Sequence, residues 1–434
     1  MKNIILSMCL ILFALMTISG QQEKGMVGIN NWLNNWTEFN THKIDYGEAT
    51  QIIAGNITSN IFLEKKHVYL LVGSVFVTNN AVMTIEPGTV IIGDYDSKAS
   101  LTITRGARLI AEGEATDPIV FTSNRGLKRA GDWGGVIMLG DAPSNQFGEG
   151  SVASYYPDLK PLDYIFTNFG GTDSTSNSGI LKYVRIEYAG KNIKGFGHFN
   201  GLMLAGVGNQ TVLENIMISH SAGNSFELLG GEVFLEKVVS FKTHENDFEF
   251  NHGAQAHLYN SLAVRSPYVS SSDGSRCLLV KSFDKKNTND FSKNGTSVIA
   301  QNITFINTSN NLKSDMESGL INEAILVGEY AALDMSKSVL SGFSPAVLLD
   351  ENVELNQDNL EKIQFTSMYF NNCNGNIFTE NNSNNDDLEN WYGNQVFFNV
   401  YSKGDNIETF IASDNLKRPD FRLQINKILA SNDD

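Results

Sequence analysis

Short apolar runs return along this chain at a nearly fixed interval. Ile216-Met217-Ile218, Val239-Ser240-Phe241 and Leu262-Ala263-Val264 begin 23 residues apart in each step. Val184-Arg185-Ile186 precedes the series, and Ile303-Thr304-Phe305, Val339-Leu340 and Ile363-Gln364-Phe365 extend it across longer gaps. A second alignment sets Ser225-Phe226-Glu227-Leu228 against Asp247-Phe248-Glu249-Phe250 at an offset of 22. Runs this short, alternating in side and flanked by Gly, Asn or Ser, predict strands separated by turns. Two strand segments per period of 22–23 residues predict coils of a right-handed parallel β-helix, whose inner faces are buried only when coils stack. An antiparallel sandwich would instead turn back every 8–12 residues.

The N-terminal part carries the same pattern in shorter steps. Tyr69–Val77, Val82–Ile85, Val90–Ile92, Leu101–Thr104, Arg108–Ala111 and Ile119–Thr122 read as successive strands, with Glu86-Pro87-Gly88 and Arg105-Gly106-Ala107 as turns. The solenoid is therefore expected over 67–370. Residues 21–66 read as an N-terminal cap, with Trp32 and Trp36 covering the open end of the first coil, which would otherwise expose a strand edge. Two interruptions, about 140–178 and 266–297, are rich in Gly, Ser, Asp and Asn and are expected as lateral loops. Residues 371–434 are expected to be an Asn-rich loop, mobile or lateral over 371–394, and the C-terminal end of the solenoid.

Residues 1–20 have the layout of a secretory signal peptide: Lys2, an apolar stretch from Ile4 to Ile18, then Ser19-Gly20. Gln21 stands where a lipoprotein would carry its lipidated Cys, so an exported chain starting near Gln21, without a lipid anchor, is expected. No later stretch reaches the roughly 18 consecutive apolar residues of a membrane span. Location at the cell surface, in the periplasm or outside the cell stays open.

Composition narrows the partners. The 434 residues include 48 Asn and 38 Gly but only 8 Pro. Asn is a poor helix former and a good turn former, and in stacked coils it can bond to its counterpart one coil away. A hydrophobic fraction of 41% excludes disorder. The formal charge of −16 excludes nucleic acid, which needs clustered Lys and Arg. Cys277 and Cys373 read as small buried hydrophobes, their pairing left open by the spacing.

Four further segments carry a family resemblance. They are Met83-Thr84-Ile85-Glu86-Pro87-Gly88-Thr89-Val90-Ile91, Ala111–Ser123, Gly131-Asp132-Trp133-Gly134-Gly135-Val136-Ile137 and Leu181–Gly190. Together they resemble the secreted or cell-surface parallel β-helix proteins common in Bacteroidota, within the pectate-lyase-like fold group. The resemblance covers roughly 30–370 and implies the fold, but no activity, because many such proteins have no assigned reaction. The Arg-x-Pro-x-x-Arg arrangement associated with pectate lyases is missing: Arg265-Ser266-Pro267-Tyr268 lacks its second Arg.

Within the repeat, alternation turns Phe226, Leu228, Phe248 and Phe250 inward and Glu227 and Glu249 outward. Stacked coils about 4.8 Å apart make those two carboxylates neighbours, with Ser225 and Asp247 expected as an outward pair one step along. Such carboxylates repel unless a cation binds or one is protonated. Three readings stay open: a solvated polar ladder, a calcium site on Glu227, Asp247 and Glu249, or a carbohydrate-processing centre using those three residues. Tyr155, Tyr156, Trp391 and Tyr392 are candidate platforms for a sugar face or protein partner. Trp133, between glycines, reads as a buried structural turn. The leading expectation is an exported, non-catalytic protein binding a glycan or cell-envelope partner. The alternative is a polysaccharide lyase or glycoside hydrolase acting in a groove.

Overall fold

A computed structural model describes residues 24–271, 275–380, 386–415 and 417–424. The proposed signal peptide lies outside these residues. Twenty-nine strands form one continuous parallel arrangement, coil upon coil. Each coil contributes three strands, where the sequence period suggested two. The 216–218, 239–241 and 262–264 series and the 225–228/247–250 alignment account for two of those strands; the third, such as Glu232–Glu236, is picked out by neither.

The first face includes Glu232–Glu236, Gln255–Tyr259, Ser297–Gln301, Ala332–Ser336 and Ile363–Thr366. The second includes Val239–Phe241, Leu262–Arg265, Thr304–Asn307, Val339–Ser341 and Tyr369–Asn371. The third includes Leu202–Ala205, Phe226–Leu229, Phe248–Asn251, Leu278–Val280 and Ile325–Val327. Ile363-Gln364-Phe365 thus belongs to the first face, and the second-face series continues instead through Tyr369–Asn371 to Val400–Ser402. Inward side chains of all three faces merge in one core, including stacked Phe226 and Phe248 with ring centroids 5.2 Å apart.

The corner between the first and second faces is built alike in successive coils. One residue there adopts a left-handed backbone: Tyr183, Asn215, Lys237, Asn260, Asn302, Lys337 and Ser367 have φ between 48° and 59°. Asn tolerates this region better than most residues, which gives the Asn content a structural use. At this corner Asn260 and Asn302 bond to the N-terminal segment. Asn260 Oδ1 accepts from the Val27 amide (2.9 Å), and Asn302 Nδ2 donates to the Gly25 carbonyl (3.2 Å).

That segment is not a cap on the first coil. It runs as a strap across the outside of the second face, from the last coils back to the early ones. Lys24 Nζ donates to the Met368 carbonyl, the Gly25 amide to Lys337, the Glu38 amide to Met217 Sδ and Tyr46 OH to Glu187. The reason is apolar surface: Met217, Val239, Phe241, Leu262, Val264, Ile306 and Val339 face outward, and Met26, Leu33, Trp36 and Phe39 cover them. The C-terminal hairpin of Phe410–Ala412 and Asp420–Leu423 joins this layer, with Arg422 Nη1 donating to the Gly28 carbonyl at 2.7 Å.

Capping falls at the other end. Helix Asp386–Tyr392, inside the stretch expected as a mobile loop, buries Leu388 and Tyr392 against Phe365 and Phe378. The 140–178 excursion is a lateral loop between Val136–Leu139 and Gly179–Glu187. The 266–297 segment is two excursions, because Leu278–Val280 returns to the third face between them. A third excursion carries the hairpin Asn192–Ile193 and Gly197–His198. Trp133 is buried, its indole N–H donating to the Glu187 carbonyl at 2.8 Å. Cys277 and Cys373 are both free thiols.

Candidate functional site

The outward column of the third face turns acidic at one place. Ile137 and Met203 are apolar and lie under the 140–178 loop. The next two positions are Glu227 and Glu249, in direct register, followed by Leu279. Where the loop's cover ends, a cleft of about 530 Å³ opens over the two carboxylates. Tyr155 and Phe196 form one wall, from the lateral loop and the 192–198 hairpin, and Arg276, Lys281 and Asp284 lie across from them. Tyr155 stacks edge-on against Phe196 with centroids 4.9 Å apart.

The carboxylates are held by an asparagine ladder at the corner leading into this face. The Asn224 amide donates to Asn200 Oδ1 (2.9 Å), the Asn246 amide to Asn224 Oδ1 (2.9 Å) and the Arg276 amide to Asn246 Oδ1 (3.2 Å). Each side chain thereby spends its oxygen on the next coil and turns its NH₂ toward the cleft. Asn200 Nδ2 donates to Glu227, while Asn224 and Asn246 both donate to Glu249 Oε2 at 3.0 and 3.1 Å. Gly223 permits the tight corner, since a Cβ there would lie 2.1 Å from the Phe199 carbonyl oxygen.

This unequal supply separates the two acids. Glu249 also pairs with Lys281 Nζ at 3.0 Å, so its anion has a cation and two amide donors. Glu227 has one amide and a 3.4 Å contact from Tyr155 OH. Enclosure by the walls, then repulsion from Glu249, pushes the Glu227 carboxyl well above its ordinary range. Burial likewise raises the Tyr155 phenol, with Glu227 adding to it. Burial pulls Lys281 down, but Glu249 and Asp284 outweigh it and hold its ammonium above the usual value. A hydrogen bond from His252, and then Lys281, keeps Asp284 below the usual carboxylate range.

Other expected site residues fall elsewhere. Asp247 does not face outward with Glu227 and Glu249; it is buried at the inner corner, 2.8 Å from Arg265 Nη1 and bonded to Ser240. Arg265 is itself buried and requires that counter-charge. The three carboxylates therefore do not converge, and the calcium arrangement on Glu227, Asp247 and Glu249 is not assembled. Lys281 already neutralises Glu249. Among the described residues, no group of three or more His, Cys, Asp or Glu is placed to hold a metal.

Tyr156 is buried, its hydroxyl paired with Thr102, and Tyr392 is buried in the C-terminal cap, its hydroxyl donating to the Ile363 carbonyl. Neither presents a ring face. Trp391 is half-buried beside Phe397, remote in the fold from the cleft. Of the four aromatic candidates, only Tyr155 lines the carboxylate cleft. Sequence reasoning missed Asn200, Asn224, Asn246 and Lys281. The asparagines recur at intervals of 24 and 22, a signal visible once the strand register is known.

A family model described as a pectate-lyase-like β-helix domain matches residues 55–411. The chain belongs to that family. No curated protein and no solved structure matches it. As a pectate-lyase-like β-helix protein it carries its carboxylate cleft on the outer side of a stacked sheet, bordered by three excursions from the coil. Among its described residues no helix is long and apolar enough to cross a membrane.

Proposed function

We propose that this protein is exported and binds a glycan chain in the cleft over Glu227 and Glu249. The observation that carries the reading is the cleft's construction: a row of oriented carboxylates and side-chain amides beside the half-exposed rings of Tyr155 and Phe196. Amides and carboxyls suit sugar hydroxyls, and ring faces suit the apolar faces of pyranoses. Proteins of this family are usually exported, which agrees with the apolar N-terminal leader.

One observation favours a second reading, glycoside hydrolysis in the same cleft. Two stacked carboxyls have unequal environments: Glu227 is held toward its acid form, and Glu249 lies 3.0 Å from Lys281 Nζ. Protonated Glu227 would give its proton to the glycosidic oxygen as the bond to C1 breaks. Anionic Glu249 would bond to C1, and water, losing a proton to Glu227, would then release the sugar. The coil spacing of about 4.8 Å lies nearer the roughly 5–5.5 Å carboxyl separation of retaining enzymes than the wider separation of inverting ones.

Incubation with a panel of polysaccharides separates the readings. Retention of the protein without release of new reducing ends supports binding alone. New reducing ends that vanish in Glu249→Gln support hydrolysis, with net retention at the anomeric carbon. Failure of every glycan to retain the protein or be cut would overturn both.

A further inference from the structure

We infer that the cleft selects an uncharged glycan and rejects polyuronates. The inference rests on the proposed glycan-binding role of this cleft and specifies its ligand class. It comes from how the cleft's positive groups are already committed. A chain carrying a carboxylate on every sugar needs exposed cations with no protein anion against them. The cleft contains Arg276 and Lys281, and each is spoken for. Arg276 Nε lies 2.5 Å from Glu323, and Lys281 Nζ lies 3.0 Å from Glu249 and 2.8 Å from Asp284. Both imidazoles are matched as well: His198 Nδ1 lies 2.9 Å from Glu245 and His252 Nε2 lies 3.5 Å from Asp284.

The charge count runs the same way. Even with Glu227 set aside as the neutral acid, Glu245, Glu249 and Asp284 line the cleft beside two cations, Arg276 and Lys281, before Glu323 is included. A uronate entering here meets a negative field in a site screened from water, where repulsion is stronger than in solution. Besides these pairs and Glu227, the walls offer uncharged groups: Gln146, Ser151 and Ser154 supply an amide and hydroxyls, and Tyr155 and Phe196 supply ring surface. That set matches hydroxyl-bearing neutral sugars. The same field bears on chemistry. Glycan β-elimination requires a sugar carboxylate to acidify the proton that is removed, so a cleft that rejects uronates is unsuited to it, whereas hydrolysis has no such need.

The test is affinity electrophoresis of the full chain in gels containing xylan, glucomannan or mixed-linkage β-glucan, against gels containing polygalacturonate or alginate. Retardation by at least one neutral polymer, with at least about tenfold weaker retardation by both polyuronates, is expected. Glu323→Gln, which frees Arg276, is expected to raise polygalacturonate retardation severalfold while leaving the neutral polymer's unchanged. Its melting temperature shows whether the variant is folded, and Glu245→Gln, which removes another wall anion, gives an independent reading in the same direction. Retardation by polyuronates equal to or stronger than by the neutral polymers overturns the selectivity while leaving glycan binding intact. No retardation in any gel overturns the binding proposal and the selectivity with it.

Discussion

Glu227 and Glu249 show how far two identical residues in one register can diverge. Both are the second residue of a Phe-Glu-apolar strand, and both face the same cleft. Glu249 receives Lys281 and two asparagine amides, whereas Glu227 receives one amide and faces Glu249's charge. The folded state therefore binds a proton at Glu227 more tightly than the unfolded chain does. Between the ordinary carboxylate range and the raised value of the folded protein, stability must fall as pH rises. Glu227→Gln mimics the protonated acid and should remove that contribution. Its melting temperature is expected to exceed wild type's at pH 7–8 and to converge with it at pH 4, checked by thermal unfolding across the range. Because Lys281 pairs with Glu249 at 3.0 Å, a chelator is expected to leave the wild-type melting temperature unchanged. A fall of several degrees in EDTA, restored by calcium, would contradict that assignment.

At the scale of elements, the strap is the part that ties distant coils together. It touches the carbonyls of Met368 and Lys337 near its start and the side chains of Tyr188 and Glu187 near its end. Trp36 is its anchor, buried against the second face and edge-on to Tyr183 at 5.9 Å. Trp36→Ala should cost about 3–5 kcal/mol and open the strap first. Limited proteolysis is expected to cut that variant within 24–46 while the coils stay resistant; cleavage in the coils at the same rate would show that strap and solenoid are not separable.

The same element marks what was legible in the sequence. The solenoid was readable because its strands return at 22–23 residues, although Val239 stacks on Met217 and not on Ile216, and the alignment of 225–228 with 247–250 predicts the observed register of Phe226 on Phe248. The strap was not, because nothing in Trp32 or Trp36 says which apolar surface they cover, and the outward Met217, Val239 and Leu262 look like ordinary strand residues. Asp247 was misplaced for a related reason. Alternation puts it on Glu249's side, but it sits at a corner, where the chain turns and strict alternation ends. Arg265, its buried partner, is 18 residues away and is brought near only by the coil.

The described residues form a long solenoid with one apolar flank covered by the 24–46 strap and the 410–423 hairpin and one flank opened into a cleft. A formal charge of −16 keeps the exterior acidic, and the cleft shares that sign. Excursions from the coil, not the strands, set the cleft's walls: the 140–178 loop brings Tyr155, the 192–198 hairpin brings Phe196, and the segment after Leu278–Val280 brings Lys281 and Asp284. Family membership accounts for the coils, and these excursions account for whatever ligand the protein takes.

The most direct test of that account is calorimetric titration of the protein with an oligosaccharide from a neutral polymer that retains it, comparing wild type with Tyr155→Ala and with Lys281→Met. Saturable binding by wild type is predicted, weakened at least about tenfold, or 1.4 kcal/mol, in either variant with its fold intact. Unchanged affinity in both folded variants would place the glycan elsewhere and contradict the assignment of this cleft.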